Sequence, residues 1–155
     1  MSVIDHYTKY TSDHIAHSKY NIYQQRHRSS IRESDNVIIK ILKDYALSST
    51  RSSVLDIGCS TGNLLYHIKS SFPCLNLTGG DLAISSIDKC KEDPDLSNID
   101  FQIMDMCNLP SDNRWDILLA NAVTQYFDWN TYKLAMSSVF NALKPGGIYV
   151  SFEWI

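Results

Sequence analysis

Two aspartates and an asparagine close short apolar runs in this 155-residue chain, and a third aspartate stands inside one. Asp56 stands within VLDIG, Asp81 follows LTGG, Asp105 follows FQIM, and Asn121 follows DILLA. Beside Asp56 lies a run of small residues, Gly58-Cys59-Ser60-Thr61-Gly62, and then Asn63-Leu64-Leu65. An apolar strand that enters a helix through glycines is the nucleotide-cradling turn of doubly wound α/β folds. Gly58 can adopt dihedrals closed to other residues, and Gly62 lets a ligand or strand approach the backbone closely. The helix start offers unpaired N–H groups. A dinucleotide fingerprint beginning at Gly58 requires glycine at 60 and 63, where Ser60 and Asn63 stand. The carboxylate of Asp81 has two acceptor oxygens and can take both hydroxyls of a ribose. Folds that bind nicotinamide cofactors place an acid here too, and capping of the next helix is a structural alternative.

The elements that must position these residues follow from hydrophobic periodicity. Strands are expected over Val54–Ile57, Leu75–Gly80, Phe101–Met104, Asp116–Ala120 and Ile148–Trp154. Helices are expected over Asn63–Ser71, Ile84–Lys91 and Asn130–Leu143, the last with Tyr132, Met136, Val139, Phe140 and Leu143 inward. Lys144-Pro145-Gly146-Gly147 stops that helix. Ahead of the first strand, Ser30 and Glu33 fit a capping box. The helix after them presents Val37, Ile38, Ile41, Leu42 and Tyr45 on one face. A weaker helix spans about 13–27. Strands alternating with helices predict a doubly wound, Rossmann-like parallel sheet covered on both faces. The expected organisation is an N-terminal helical cover, residues 1–29, on a core of residues 30–155. The chain stops directly after its fifth strand. A fragment, or a sheet edge completed by another chain through self-association, is therefore expected.

Composition narrows the function. Hydrophobic residues make up 44% and charged residues 20% of the chain, ordinary values for a soluble globular domain. No apolar run reaches the roughly 20 residues of a membrane helix, and the N-terminus lacks the apolar region of a signal peptide. The four cysteines form no CxxC pair, so no metal site or disulfide framework is expected, and a cytoplasmic protein is the plain reading. Residues 1–53 carry eight Lys/Arg and five Asp/Glu, against six and twelve in 54–155. The basic N-terminal segment reads as a solvated lid or as a cover over an anionic substrate. No domain-wide basic bias supports a nucleic-acid partner.

The turn resembles motif I of the class I S-adenosylmethionine-dependent methyltransferases, D-x-G-x-G-x-G. Here it stands as Asp56-Ile57-Gly58-Cys59-Ser60-Thr61-Gly62, with Ser60 in place of the middle glycine. Further matches follow in order: Asp81-Leu82 after the second strand, Asp105-Met106 after the third, Trp115–Val123 around the fourth, and Leu143-Lys144-Pro145-Gly146-Gly147 before the fifth. The resemblance covers roughly residues 33–155. It implies strand order 3-2-1-4-5 and a core truncated before the family's final antiparallel hairpin. It also implies S-adenosylmethionine as cofactor and S-adenosylhomocysteine as product. The methionine moiety would lie along Gly58, Cys59 and Ser60, with Gly62 closing the turn. Asp56 would anchor the ammonium, or brace the turn as a buried structural acid. Asp81 would take the ribose and Leu82 would lie against the adenine. Asp105 would accept from the adenine amino group beside the Met106 backbone, with a strand-end turn as its structural alternative. Asn121 and Ala122 complete the lining.

Methyl transfer from a sulfonium is an in-line displacement from an activated donor, so alignment matters more than a covalent nucleophile. Cys59 accordingly reads as a packing residue. The acceptor is expected to be a small molecule, met by Tyr20, Tyr23, Gln125 and Tyr126, with His14, His17 and Trp129 as further candidates. Two rivals remain: a non-catalytic cofactor-binding module that needs a partner chain, and a nicotinamide-dependent oxidoreductase.

Overall fold

The structure is a computed structural model that describes residues 28–46 and 52–153. The expected helix over 13–27, with Tyr20, Tyr23, His14 and His17, and the end of the fifth strand at Trp154 lie outside the described residues. The described elements run α1 (Glu33–Ala46), β1 (Ser53–Ile57), α2 (Asn63–Ser71), β2 (Asn76–Asp81), α3 (Ile84–Glu92), β3 (Asp100–Ile103), β4 (Trp115–Asn121), α4 (Trp129–Ala142) and β5 (Leu143–Phe152). The strands form one parallel sheet in the order β3-β2-β1-β4-β5, as expected.

Because side chains alternate across a strand, each central strand feeds two cores. Val54, Ile117 and Leu119 pack with Ile38, Leu42, Leu65, Ile68 and Ile87, under α1, α2 and α3. Leu55, Ile57, Leu118 and Ala120 pack with Ala135, Val139 and Ala142 of α4. Strands buried on both faces read as continuous apolar runs, and β1 and β4 do.

Two helix faces differ from expectation. On α1 the buried set is Ser34, Asp35, Ile38, Ile39 and Leu42, while Val37 and Tyr45 are exposed. The spacing is the expected one, shifted three residues toward the N-terminus, because the sheet holds two polar residues as part of that face. The carbonyl of Arg32, just before α1, accepts from Asn36 N–H, so the helix begins at Glu33, with Arg32 and not Ser30 at its cap position. On α4 the buried stripe is Ala135, Val139 and Ala142, and Phe140 is 80% exposed. Alanines let the helix lie close to the sheet, which leaves no room for the larger side chain.

The Lys144–Gly147 segment is also more than a helix stop. β5 begins at Leu143, opposite Trp115, and the next pairing is Ile117 with Ile148. The extra residues form a bulge in which Gly146 takes φ +80°. A Cβ on Gly147 would lie 3.1 Å from the Asp116 carbonyl oxygen, so the bulge closes tightly on β4.

At the amino end of the sheet, Asp116 Oδ2 accepts from Ser53 N–H, Ser53 Oγ and Lys144 Nζ, each at 2.8 Å. One carboxylate thereby joins the starts of β1, β4 and β5. Desolvation pushes its pKa up, but the donors from Lys144 and Ser53 outweigh this and hold it below the ordinary carboxylate value. A depressed folded pKa contributes stability above the unfolded value, lost as pH falls through the folded one. Asp116→Ala is expected to cost about 1 kcal/mol at pH 7, since the group is partly solvated. Urea titrations should show that difference shrinking once the pH drops below the carboxylate range.

Candidate functional site

The turn after β1 is held from outside itself. Gly58 N–H and Cys59 N–H both donate to the carbonyl of Gly80, at 2.7 and 3.0 Å. Ser60 N–H donates to Asp81 Oδ2 at 2.8 Å, and Ala83 N–H donates to Asp81 Oδ1 at 2.9 Å. The backbone is left-handed at Gly58 (φ 77°), Ser60 (φ 49°) and Gly62 (φ 74°). Ser60 carries this conformation at a cost of about 1 kcal/mol that a glycine would avoid. Its fixed N–H bond to Asp81 over-determines it.

The glycines divide the work. Gly62 is buried, and a Cβ there would meet Leu96 Cδ1 at 2.7 Å and Cys90 Sγ at 3.4 Å. What approaches Gly62 is therefore the core. Cys59 is buried beside Cys90, whose thiol donates to the Ser60 carbonyl at 3.3 Å. The Cys90 neighbour and burial push the Cys59 thiol well above its ordinary pKa, which suits packing and not nucleophilic attack. Gly58 and Ser60 are the members of the turn left open on the carboxyl side.

The parallel register brings the strand ends to one edge. Ile57 lies opposite Gly80, Asp81 opposite Ile103, and Asn121 opposite Phe152. Strand order reverses between β1 and β4, where a ligand crevice forms in such sheets. Burial pushes the Asp81 pKa up against its backbone donors Ala83, Ser60 and Leu82. Each of its oxygens keeps a second lone pair for a ligand hydroxyl. Leu82, beside it, is exposed. Asp105 Oδ1 accepts from Cys107 N–H at 2.8 Å, capping the 3-10 turn Met106–Asn108. That is the strand-end role, two residues past the end of β3. The Met106 side chain is buried among Ile57, Leu109 and Leu118.

Asn121 turns toward α1. Its Nδ2 donates to Asp35 Oδ1 at 3.0 Å and to Ser34 Oγ at 3.4 Å. Asp35 is 2% exposed, and Arg32 Nε lies 4.0 Å from it. Asp56 is equally buried. Desolvation first, then the negative charges of Asp35 and Asp81, push its pKa well up, with only Arg32 opposing. Sequence reasoning missed Ser34, Asp35 and Arg32. The signal was present, as two polar residues three and four positions before Ile38, but the capping-box reading accounted for this stretch without them.

On the other side of the crevice, β4 leaves through Ala122 in a left-handed conformation (φ 59°), its N–H donating to Phe152 O at 2.7 Å. Val123 follows and lies against Gly58: a Cβ on that glycine would be 2.5 Å from Val123 Cγ2. The 3-10 turn Thr124–Tyr126 comes next. It carries Gln125, half-buried, and Tyr126, exposed. Trp129 is 70% exposed and stacks on Tyr132, centroids 5.8 Å apart. It lies on the outer start of α4. Glu153, also missed from the sequence, receives this turn: Oε1 accepts from Thr124 N–H and Oγ1, and Oε2 from Gln125 N–H. Among the described residues no group of three or more metal-ligating side chains gathers.

A family model described as "Methyltransferase domain" matches residues 54–147. A malonyl-[acyl-carrier protein] O-methyltransferase from Acetivibrio thermocellus is 27% identical over 65% of this chain and 35% of that protein. A ubiquinone/menaquinone biosynthesis C-methyltransferase from Desulfotalea psychrophila is 30% identical over 64% and 40%. The chain spans well under half the length of these curated relatives. Among solved structures, a sugar N-methyltransferase from a Streptoalloteichus species superposes with TM-score 0.68 at 20% identity, over 87% of this chain and 53% of that one. Coclaurine N-methyltransferase, solved with N-methylheliamine and SAH, gives TM-score 0.63 at 18% identity, over 78% and 36%. Both share the fold.

The acid cluster makes a stability prediction whose sign is unusual. A carboxyl with a raised folded pKa holds its proton more tightly when folded, so stability falls as pH rises from the unfolded value, about 3.9, toward the folded one. Asp56→Asn removes that loss. The variant is expected to be more stable than the parent at pH 7. Urea midpoints at pH 5 and pH 8 should differ less in the variant than in the parent.

Proposed function

The chain belongs to the methyltransferase-domain family, and from that premise we propose that it binds S-adenosylmethionine and transfers its methyl group to a small-molecule acceptor. The observation that carries the reading is the convergence of strand ends: the turn at Gly58 and Ser60, latched to Asp81, lies beside Asp56 and Asn121 where strand order reverses between β1 and β4. A ligand bearing an ammonium and a ribose suits these groups: a cation beside Asp56 and hydroxyls for Asp81. Gly58 and Ser60 then follow the amino-acid tail, Leu82 meets the adenine face, and Asp105 with the Met106 backbone meets its edge. Asn121 and Ala122 form the β4 side. Asn121, tied to Asp35, links the donor pocket to α1.

The sulfonium is its own leaving group, so the chain's residues need only align the donor and acceptor in line and exclude water. Gln125 and Tyr126 stand on the β4 side of the crevice and are the described residues we assign to the acceptor. Residues 1–29, with Tyr20 and Tyr23, we assign to the acceptor as a cover. The described cysteines are free thiols, in keeping with a cytoplasmic, reducing compartment, and no described helix is long and apolar enough to cross a membrane. The relatives act on chemically unlike acceptors by their names, so the acceptor's class beyond a small molecule is left to experiment.

One observation favours a second reading, a binding module that acts with a partner chain. No residue of β5 is buried, whereas β1 and β4 are almost wholly so. Light scattering decides between them: a monomer that methylates an acceptor unaided removes the partner.

Isothermal titration with S-adenosylmethionine and S-adenosylhomocysteine tests the main proposal. Both should bind, and Asp81→Ala should weaken both by about 10-fold or more, as expected for loss of charge-assisted hydrogen bonds. No binding at millimolar ligand, with Asp81→Ala indistinguishable from the parent, overturns it. Quenching of NADH fluorescence would support the oxidoreductase instead.

A further inference from the structure

We propose that Glu153 is a positioning residue that fixes the crevice wall beside the transferred methyl group, by clamping the turn Thr124–Tyr126 against Gly58. The inference rests on the cofactor reading above for the identity of the ligand. The clamp itself rests on geometry.

The 3-10 turn has Val123 at its start, with no side-chain cap from within the segment. Its first N–H groups would be left without partners. Glu153 supplies them from across the chain. Oε1 accepts from Thr124 N–H at 3.1 Å, Thr124 Oγ1 at 2.7 Å and Ser151 Oγ at 2.7 Å, and Oε2 accepts from Gln125 N–H at 3.1 Å. Only a carboxylate offers two oxygens that accept without donating. Ser151, at the end of β5, donates to the same oxygen and so steadies the carboxylate that follows it by two residues. No described lysine or arginine pairs with Glu153. Its negative charge is matched by the turn's own dipoles.

The clamped turn leads straight into the crevice. Val123, one residue before Thr124, lies so close to Gly58 that a Cβ there would sit 2.5 Å from Val123 Cγ2. Gly58 and Val123 face each other across the switch between β1 and β4. If Thr124 and Gln125 lose their acceptors, Val123 is free to leave Gly58, and the wall beside the sulfonium is no longer set before the ligand arrives. The adenosine end, held by Asp81, Leu82 and Asp105, is on the far side of the turn and does not feel the change. With four donors already aimed at its oxygens, Glu153 acts through the turn and not as a base.

The test uses the full chain and the variants Glu153→Gln and Thr124→Val. The glutamine keeps the volume but must turn an NH2 toward one of the turn's N–H groups. S-adenosylmethionine and S-adenosylhomocysteine should bind Glu153→Gln about tenfold more weakly, while adenosine binds within about twofold of the parent. Thr124→Val, which removes one hydroxyl donor, should fall between, and Thr124→Ser should restore the parent value. In 1H–15N spectra the Thr124 and Gln125 amides should shift and exchange faster in Glu153→Gln, with the melting temperature within a few degrees of the parent. Equal loss for adenosine and S-adenosylmethionine, or unchanged amides at 124 and 125, overturns the proposal. If the parent itself binds no S-adenosylmethionine, the cofactor reading has failed, and the amide readout still judges the clamp.

Discussion

The site depends on one constraint: the turn after β1 cannot hold its own shape. Three of its residues sit in the left-handed region, one of them a serine. The conformation persists because the Gly80 carbonyl and the Asp81 carboxylate at the end of β2 accept its N–H groups. The same carboxylate accepts from Ala83 and so starts α3. Shape at the carboxyl edge is therefore a property of two neighbouring strands in register, and Asp81 is at once a structural latch and the group we propose for the ribose.

Charge is distributed unevenly around that latch. Buried carboxylates at Asp35 and Asp56 face each other with Arg32 as the opposing charge. Such an arrangement costs stability, since burial and a like neighbouring charge disfavour ionisation. Backbone strain and buried acids at one place, with well-packed apolar cores on both faces of the sheet, is the pattern expected where function competes with stability. At the opposite end of the strands, Asp116 is fully matched by Lys144 and Ser53. The contrast separates the end that holds the fold from the end that holds the site.

Much of this was legible in residue order. Continuous apolar runs in β1 and β4 mark strands covered on both faces, and the intervening amphipathic stretches mark crossover helices. The turn chemistry at Gly58–Gly62 and the acids at strand ends follow the same logic. What failed was orientation. Phe140 was expected inward because it is large and apolar, yet α4 approaches on Ala135, Val139 and Ala142. Val37 and Tyr45 lost their places on α1 to Ser34 and Asp35. Periodicity gives a helix two adjacent candidate stripes, and the choice between them is made by the surface it meets.

The sequence by itself determined the parallel α/β fold, the turn that a nucleotide-like ligand would follow, and the strand ends around it, because these depend on local patterns of period two and 3.6 and on glycine's dihedral freedom. Only the tertiary structure decided which polar groups share the site. Asp35 reaches Asn121 from 86 positions away, and Glu153 reaches Thr124 from 29. Such pairings follow from strand order and crossover geometry, which no local pattern encodes.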